Sequence, residues 1–208
     1  MPDRSGAPAP PTGQASAFHV KGIIYRGTQI FFDERVPGGM QALVSAIGEP
    51  ELAAFIQQPF LSASFYDALP IAALIRCEAR AMSLPVAQYL DVRTRFQAEK
   101  DIGTVYKFLL KLVSLEQVAQ RVPRIITQLF DFGVPVVEVV EQEHVTLRIE
   151  GWPAALVEWA RAAFGVYLET ALRLSGAKQA RAVIHARGKS PPRGGVDCVT
   201  LAAELFFS

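Results

Sequence analysis

Residues 136–188 read VVEVVEQEHVTLRIEGWPAALVEWARAAFGVYLETALRLSGAKQARAVIHARG. Within HVTLRIE, Val145, Leu147 and Ile149 alternate with His144, Thr146, Arg148 and Glu150, the period-two pattern of a half-buried strand. VVEVVE precedes it across a turn at Gln142 and Glu143, so the two form a hairpin. From Pro153 the pattern becomes helical and stops at Gly176. Glu158, Arg161, Gly165, Glu169 and Arg173 form a polar stripe on that helix, assigned to water, with Glu169 and Arg173 spaced as an i,i+4 pair. RAVIHARG and VDCVTLAAELFF supply two further strands around a loop KSPPRGG. The order β–β–α–β–β predicts a four-stranded antiparallel sheet with one long helix across it.

Upstream, residues 19–133 are mainly helical. Met40, Leu43, Val44 and Ile47 recur at helical spacing, and so do Leu52, Phe55 and Ile56 after Pro50. Ile71, Leu74, Ile75, Ala79 and Met82 mark another amphipathic helix, with Arg76, Glu78 and Arg80 assigned to its polar side. Ser83 reads as the start of a helix through Tyr89, Val92 and Phe96, and Gly103 as a break in it. SLEQ at 114–117 fits a capping box, Pro123 should open or kink the next helix, and DFG at 131–133 closes it. HVKGIIYRGTQIFFDERV has no clean period and stays open between an extended arm and a short helix. The fold class is therefore α+β: a single domain over 19–208, its helical part at 19–133 packed on a β–β–α–β–β part at 134–208. Residues 1–18, rich in Pro, Ala and Gly, are expected to be a disordered tail.

Half the chain is apolar, enough to bury roughly 70% of the unfolded surface. Twenty-one basic against 20 acidic residues leave a charge of +1, without the basic excess of a nucleic-acid binder. No apolar run reaches the ~20 residues of a membrane span, and the start lacks an apolar signal core; the cytoplasm is the expected address. Cys77 and Cys198 are too few for a disulfide framework and suit a reducing compartment.

Catalytic motifs fail on inspection. DFG lacks the other kinase elements. GKS at 188–190 imitates a phosphate loop, but the earlier glycine would fall at Val183. One strand cysteine cannot make a zinc site, and neither a metal nor a cofactor is expected. The candidate ligand-binding residues are Arg76, Tyr89, His185 and Cys198. His185 and Cys198 lie on strands expected to pair, where an imidazole beside a thiol would activate it; a space-filling Cys198 is the plainer alternative. Arg76, Glu78 and Arg80 either line an anion pocket or form a solvated face. Arg187, Lys189 and Arg193 give the last hairpin a basic tip.

VKG near the start, FLSASFYDALP before a helix, FDFG before the sheet, and FGVYLETALRLSGAKQARAVI leading into DCVTLAAEL together resemble a superfamily. It includes the 4-vinyl-reductase-type ligand domains, the heme–nitric-oxide-binding (H-NOX) domains and the Bet3-like subunits of the TRAPP transport particle. From about position 20 onward the chain also resembles a family of bacterial proteins of similar length expanded in myxobacteria. The resemblance implies a sensory or ligand-binding module for a small hydrophobic molecule in signalling, or an assembly module like the Bet3 subunits, with a homodimer or protein partner. It does not carry the heme set across. The helix histidine that would precede a Tyr-x-Ser-x-Arg motif is missing, and YLDVR places Asp91 where Ser belongs. Tyr89 and Arg93 are then expected as a surface pair or a helix contact. A ligand of drug-like size calls for an enclosed cavity of about 300 Å³ or more.

Overall fold

The computed structural model describes residues 16–101 and 115–208. A three-residue strand β1 (His19–Lys21) opens it, followed by α1 (Ile23–Arg35), α2 (Gly39–Ala46) and α3 (Pro50–Gln57). β2 (Phe65–Asp67) returns to pair antiparallel with β1, so the open N-terminal stretch is an arm and a helix in succession. α4 (Pro70–Ala81), α5 (Val86–Asp101) and α6 (Leu115–Leu129) complete the helical part. The break expected at Gly103 and the cap residue Ser114 lie outside the described residues.

The sheet comprises β3 (Val134–Val140), β4 (His144–Pro153), β5 (Ala180–Arg193) and β6 (Val196–Phe207) in the antiparallel order β3-β4-β6-β5. The helix α7 (Val157–Leu174) lies between β4 and β5 in sequence. This is the α+β architecture read from the sequence. Val145, Leu147, Ile149, Leu201, Ala203 and Leu205 all face the core and are essentially inaccessible. On the opposite face Glu138 accepts from Arg148 Nε at 2.7 Å and from Arg187 Nη1 at 2.7 Å. That lattice reaches from β3 to β5 over Ala202 of β6, which is small and buried beneath it.

Several boundaries differ from expectation. KSPPRGG is not a loop: β5 runs on to Arg193 and turns only at Gly194 and Gly195, both with positive φ. β5 is an edge strand, so Pro191 and Pro192 forfeit no ladder bond that the sheet interior needs, and a register shift between Ser190 and Arg193 absorbs them. β4 extends past Glu150 through a shift at Gly151 (φ 71°), and a single 3₁₀ turn at Ala154–Leu156 leads into α7, which begins at Val157 rather than Pro153. Ser83 does not start α5; it has φ 55° in the turn closing α4. Pro123 sits inside α6 without ending it.

The stripe assigned to water on α7 is partly used inside the molecule. Glu169 Oε1 accepts from the Ala182 N–H of β5 at 3.1 Å, and Arg173 Nη2 reaches both Glu169 and the Ala180 carbonyl. These bonds occupy backbone groups of an edge strand that would otherwise be open to further pairing. Between helices and sheet, Phe130 and Phe132 meet Trp152, with Trp159 and Phe164 of α7 completing the cluster.

Candidate functional site

The interior between α1, α4 and α5 contains a buried polar cluster. On α4, Glu78 follows Leu74 by four residues and Ile75 by three, so helical geometry turns its carboxylate inward with them. Tyr89 and Arg93, one turn apart on α5, face it. Tyr89 Oη donates to Glu78 Oε2 at 2.5 Å. Arg93 Nη2 donates to the Ile24 carbonyl at 3.2 Å and to Thr28 Oγ1 at 3.4 Å, both on α1. Gly27 makes this approach possible, since a Cβ there would stand 2.7 Å from Arg93 Nη2.

Burial raises the Glu78 carboxyl above its ordinary 4.5; the Tyr89 hydrogen bond, the Arg93 charge and the Thr28 hydroxyl pull the other way. Tyr89 is pushed well above 10.0, first by burial and then by the Glu78 charge. The cluster thus joins a carboxyl whose proton affinity is raised by burial to a phenol that donates to it and a buried guanidinium. Beside it is a cavity of about 20 Å³, whose apolar walls include Ile24, Leu74, Ile75, Leu90 and Trp159. That volume admits about one water molecule. That is far below the size expected for an enclosed ligand. The larger hollow, about 520 Å³, is an open groove at the sheet end lined by His144, Arg181, Phe206 and neighbours.

The four sequence candidates do not converge. Tyr89 belongs to the buried cluster, so Tyr89 and Arg93 are an interior pair rather than a surface one. Arg76 is exposed on the far side of α4, and Arg80 donates to the Ala46 carbonyl; no anion pocket forms between them. His185 pairs across the ladder with Ala202, and Cys198 with Ser190. The His185 side chain lies on the sheet face away from the core, whereas Cys198 is buried in the core cluster, and four residues of β6 separate their rows, about 13 Å. The His185 imidazole instead lies 3.9 Å from Glu204. The Cys198 thiol donates to the Val196 carbonyl, and burial raises its pKa; it is not activated. Two residues of the basic tip are also occupied, Arg187 by Glu138 and Arg193 by the Asp131 carbonyl and the Phe18 ring. Sequence reasoning missed Thr28 and Gly27, and it set Glu78 beside Arg76 and Arg80 on the polar side of α4 where the structure buries it. The available signal was the place of Glu78 within the apolar stripe of α4.

No family model matches the sequence, and no curated relative matches it significantly. Solved structures do. The H-NOX protein from K. algicida, crystallised as the Fe(II) unliganded form, aligns at TM-score 0.60 over 90% of this chain and 96% of its own, with 12% identity. A mutant of it aligns at 0.62 with 10% identity over the same shares. A mutant T. tengcongensis H-NOX aligns at 0.59 over 90% and 97%, with 9% identity. The chain has an H-NOX-like fold. No described helix is long and apolar enough to cross a membrane.

Proposed function

We propose that the chain is a non-enzymatic sensory module that binds a small, mostly apolar molecule with one hydrogen-bonding group, at the junction of α1, α4, α5 and α7. The observation that carries this reading is the Glu78–Tyr89–Arg93 cluster bordering a cavity whose other walls are apolar. A buried charged cluster of this kind is a weak source of stability, because desolvation offsets its attraction. It is a recognised feature of sites that bind or react. The ligand's polar group would take the place of the single water the cavity admits, against Glu78, Thr28 and Arg93. Trp159 is the wall that would give way. It is carried by α7, whose residues 162–171 are half-buried on every side, whereas Ile24, Leu74 and Leu90 belong to well-covered helices. The Trp152 indole N–H, inaccessible and unpartnered among the described residues, stacks beside Trp159 and would be a second donor once that wall moves.

Heme does not fit. Positions 20–143 contain no histidine, and the three that exist are placed elsewhere: His19 against Asp131, His144 and His185 on the sheet face away from the core. The space between the layers is filled by Phe130, Trp152, Trp159 and Phe164. Hemin titrated into the purified chain should give the spectrum of free hemin, with no shifted Soret band. Native mass spectrometry should show an adduct of one small organic molecule on the wild type and its loss in Glu78→Gln. Bare chain from every preparation, with no thermal shift across a panel of small hydrophobic compounds, would remove the proposal. The second reading, an assembly module that works through protein contacts, would then take its place.

A further inference from the structure

The two edges of the sheet are treated differently. β5 is closed by its own chain: α7 supplies Glu169 to the Ala182 N–H and Arg173 to the Ala180 carbonyl, and two prolines interrupt its outer part. β3, at the other edge, has no such cover among the described residues. Within them its one strand neighbour is β4, and no hydrogen bond joins its outward backbone groups to another element. Its side chains are VPVVEVV, with Val134 63% exposed, Val136 and Val139 37% and Val140 46%. Ile125 of the adjacent α6 is 52% exposed. An open, valine-rich edge strand is a template for further pairing unless something occupies it.

We propose that β3 is the interface for a second copy of this chain, the two β3 strands pairing antiparallel about a two-fold axis so that the two sheets become one. Self-pairing suits this strand for three reasons. An antiparallel two-fold match sets mostly valine against valine, the exceptions being Pro135 and Glu138, the one charged side chain in the segment. Both Glu138 oxygens are already held by Arg148 and Arg187 of the same chain, so no uncompensated like charges meet across the axis. Finally, an isologous contact uses up both β3 edges at once, and the covered β5 edges leave nothing on which a third copy could add. The assembly closes at two. The register shift between Val137 and Val139 and the proline at 135 limit the pairing to one short strand. The interface is therefore at the small end of the range, and the association should be reversible and concentration-dependent.

Sedimentation velocity across a concentration series tests this on the full chain. The wild type should pass from monomer to dimer with increasing concentration, and hydrogen exchange at residues 134–140 should slow over the same range. Val136→Lys with Val139→Lys places two cations on the exposed face of each strand. This variant should remain monomeric while keeping its circular dichroism and melting temperature. A wild type that stays monomeric at the highest concentration overturns the proposal. So does a dimer whose β3 amides exchange at an unchanged rate, a readout that holds even where the lysine variant misfolds. The measurement is independent of any bound small molecule, so its outcome separates from that of the ligand-site reading.

Discussion

Glu78 shows why a charged residue in an apolar stripe carries more information than one in a polar run. Read by its neighbours Arg76 and Arg80, it belongs to a solvated face; read by its spacing from Leu74 and Ile75, it belongs inside. The structure follows the spacing. The cluster has a pH signature whose sign is fixed by burial. A carboxyl with a folded pKa above its unfolded one favours the fold while it keeps its proton. That contribution is complete below the ordinary 4.5 and is lost as pH climbs through the raised value. Glu78→Gln stays neutral throughout, so its stability relative to wild type should improve as pH rises above 4.5 and then level off. Urea denaturation at a series of pH values measures this; a difference that is flat with pH would refute the raised carboxyl. Tyr89→Phe is the complementary change. It removes the donor at 2.5 Å and leaves a buried carboxyl oxygen unpaired, at a cost of about 1–3 kcal/mol. Tyr89 and Arg93 were legible as an i,i+4 pair, but their direction was not, because it depends on Gly27 of a helix far away in sequence.

At the scale of elements, alternation in HVTLRIE and periodicity after Pro153 were enough to order the sheet unit, since each pattern reports only which face is buried. Edge devices are invisible to that signal. Nothing local distinguishes KSPPRGG in an edge strand from KSPPRGG in a loop, for the distinction rests on which neighbour the strand lacks. The polar stripe of α7 failed for the same reason: Glu169 and Arg173 are spaced as an exposed ion pair and do form one at 3.3 Å, yet they also bond the backbone of β5. Their pair alone would be worth a few tenths of a kcal/mol. The backbone bond adds more. Glu169→Ala should therefore cost about 1 kcal/mol and raise hydrogen exchange at the Ala182 amide about fivefold, while amides of the central strand β6 keep their rates. An unchanged Ala182 rate would show that the carboxylate does not protect this edge.

For the whole molecule, the division into helical and sheet parts is one of sequence order and not of packing. A single apolar cluster runs from Phe18 and Val20 of the N-terminal arm through Phe130 and Phe132 to Trp152, Trp159 and Leu205. Val20 even pairs with Phe130 by a backbone bridge, tying the first strand to the residue before DFG. The aromatic contacts of Trp152 are shared between the two parts: Phe130 and Phe132 from one, Trp159 and Phe164 from the other. Neither part can bury its own face alone, and this sets how the chain unfolds. Far-ultraviolet circular dichroism, which follows the helices, and tryptophan fluorescence, which follows Trp152 and Trp159, should give coincident transitions in denaturant. The isolated segment 134–208 should show no near-ultraviolet signal of fixed tryptophans, because half of their neighbours are missing. Two separate transitions, or a native-like near-ultraviolet spectrum from the isolated segment, would make the sheet unit an autonomous domain. The Glu78 cluster would then belong to the helical part alone, and only the Trp159 wall would remain to connect a bound ligand to the sheet.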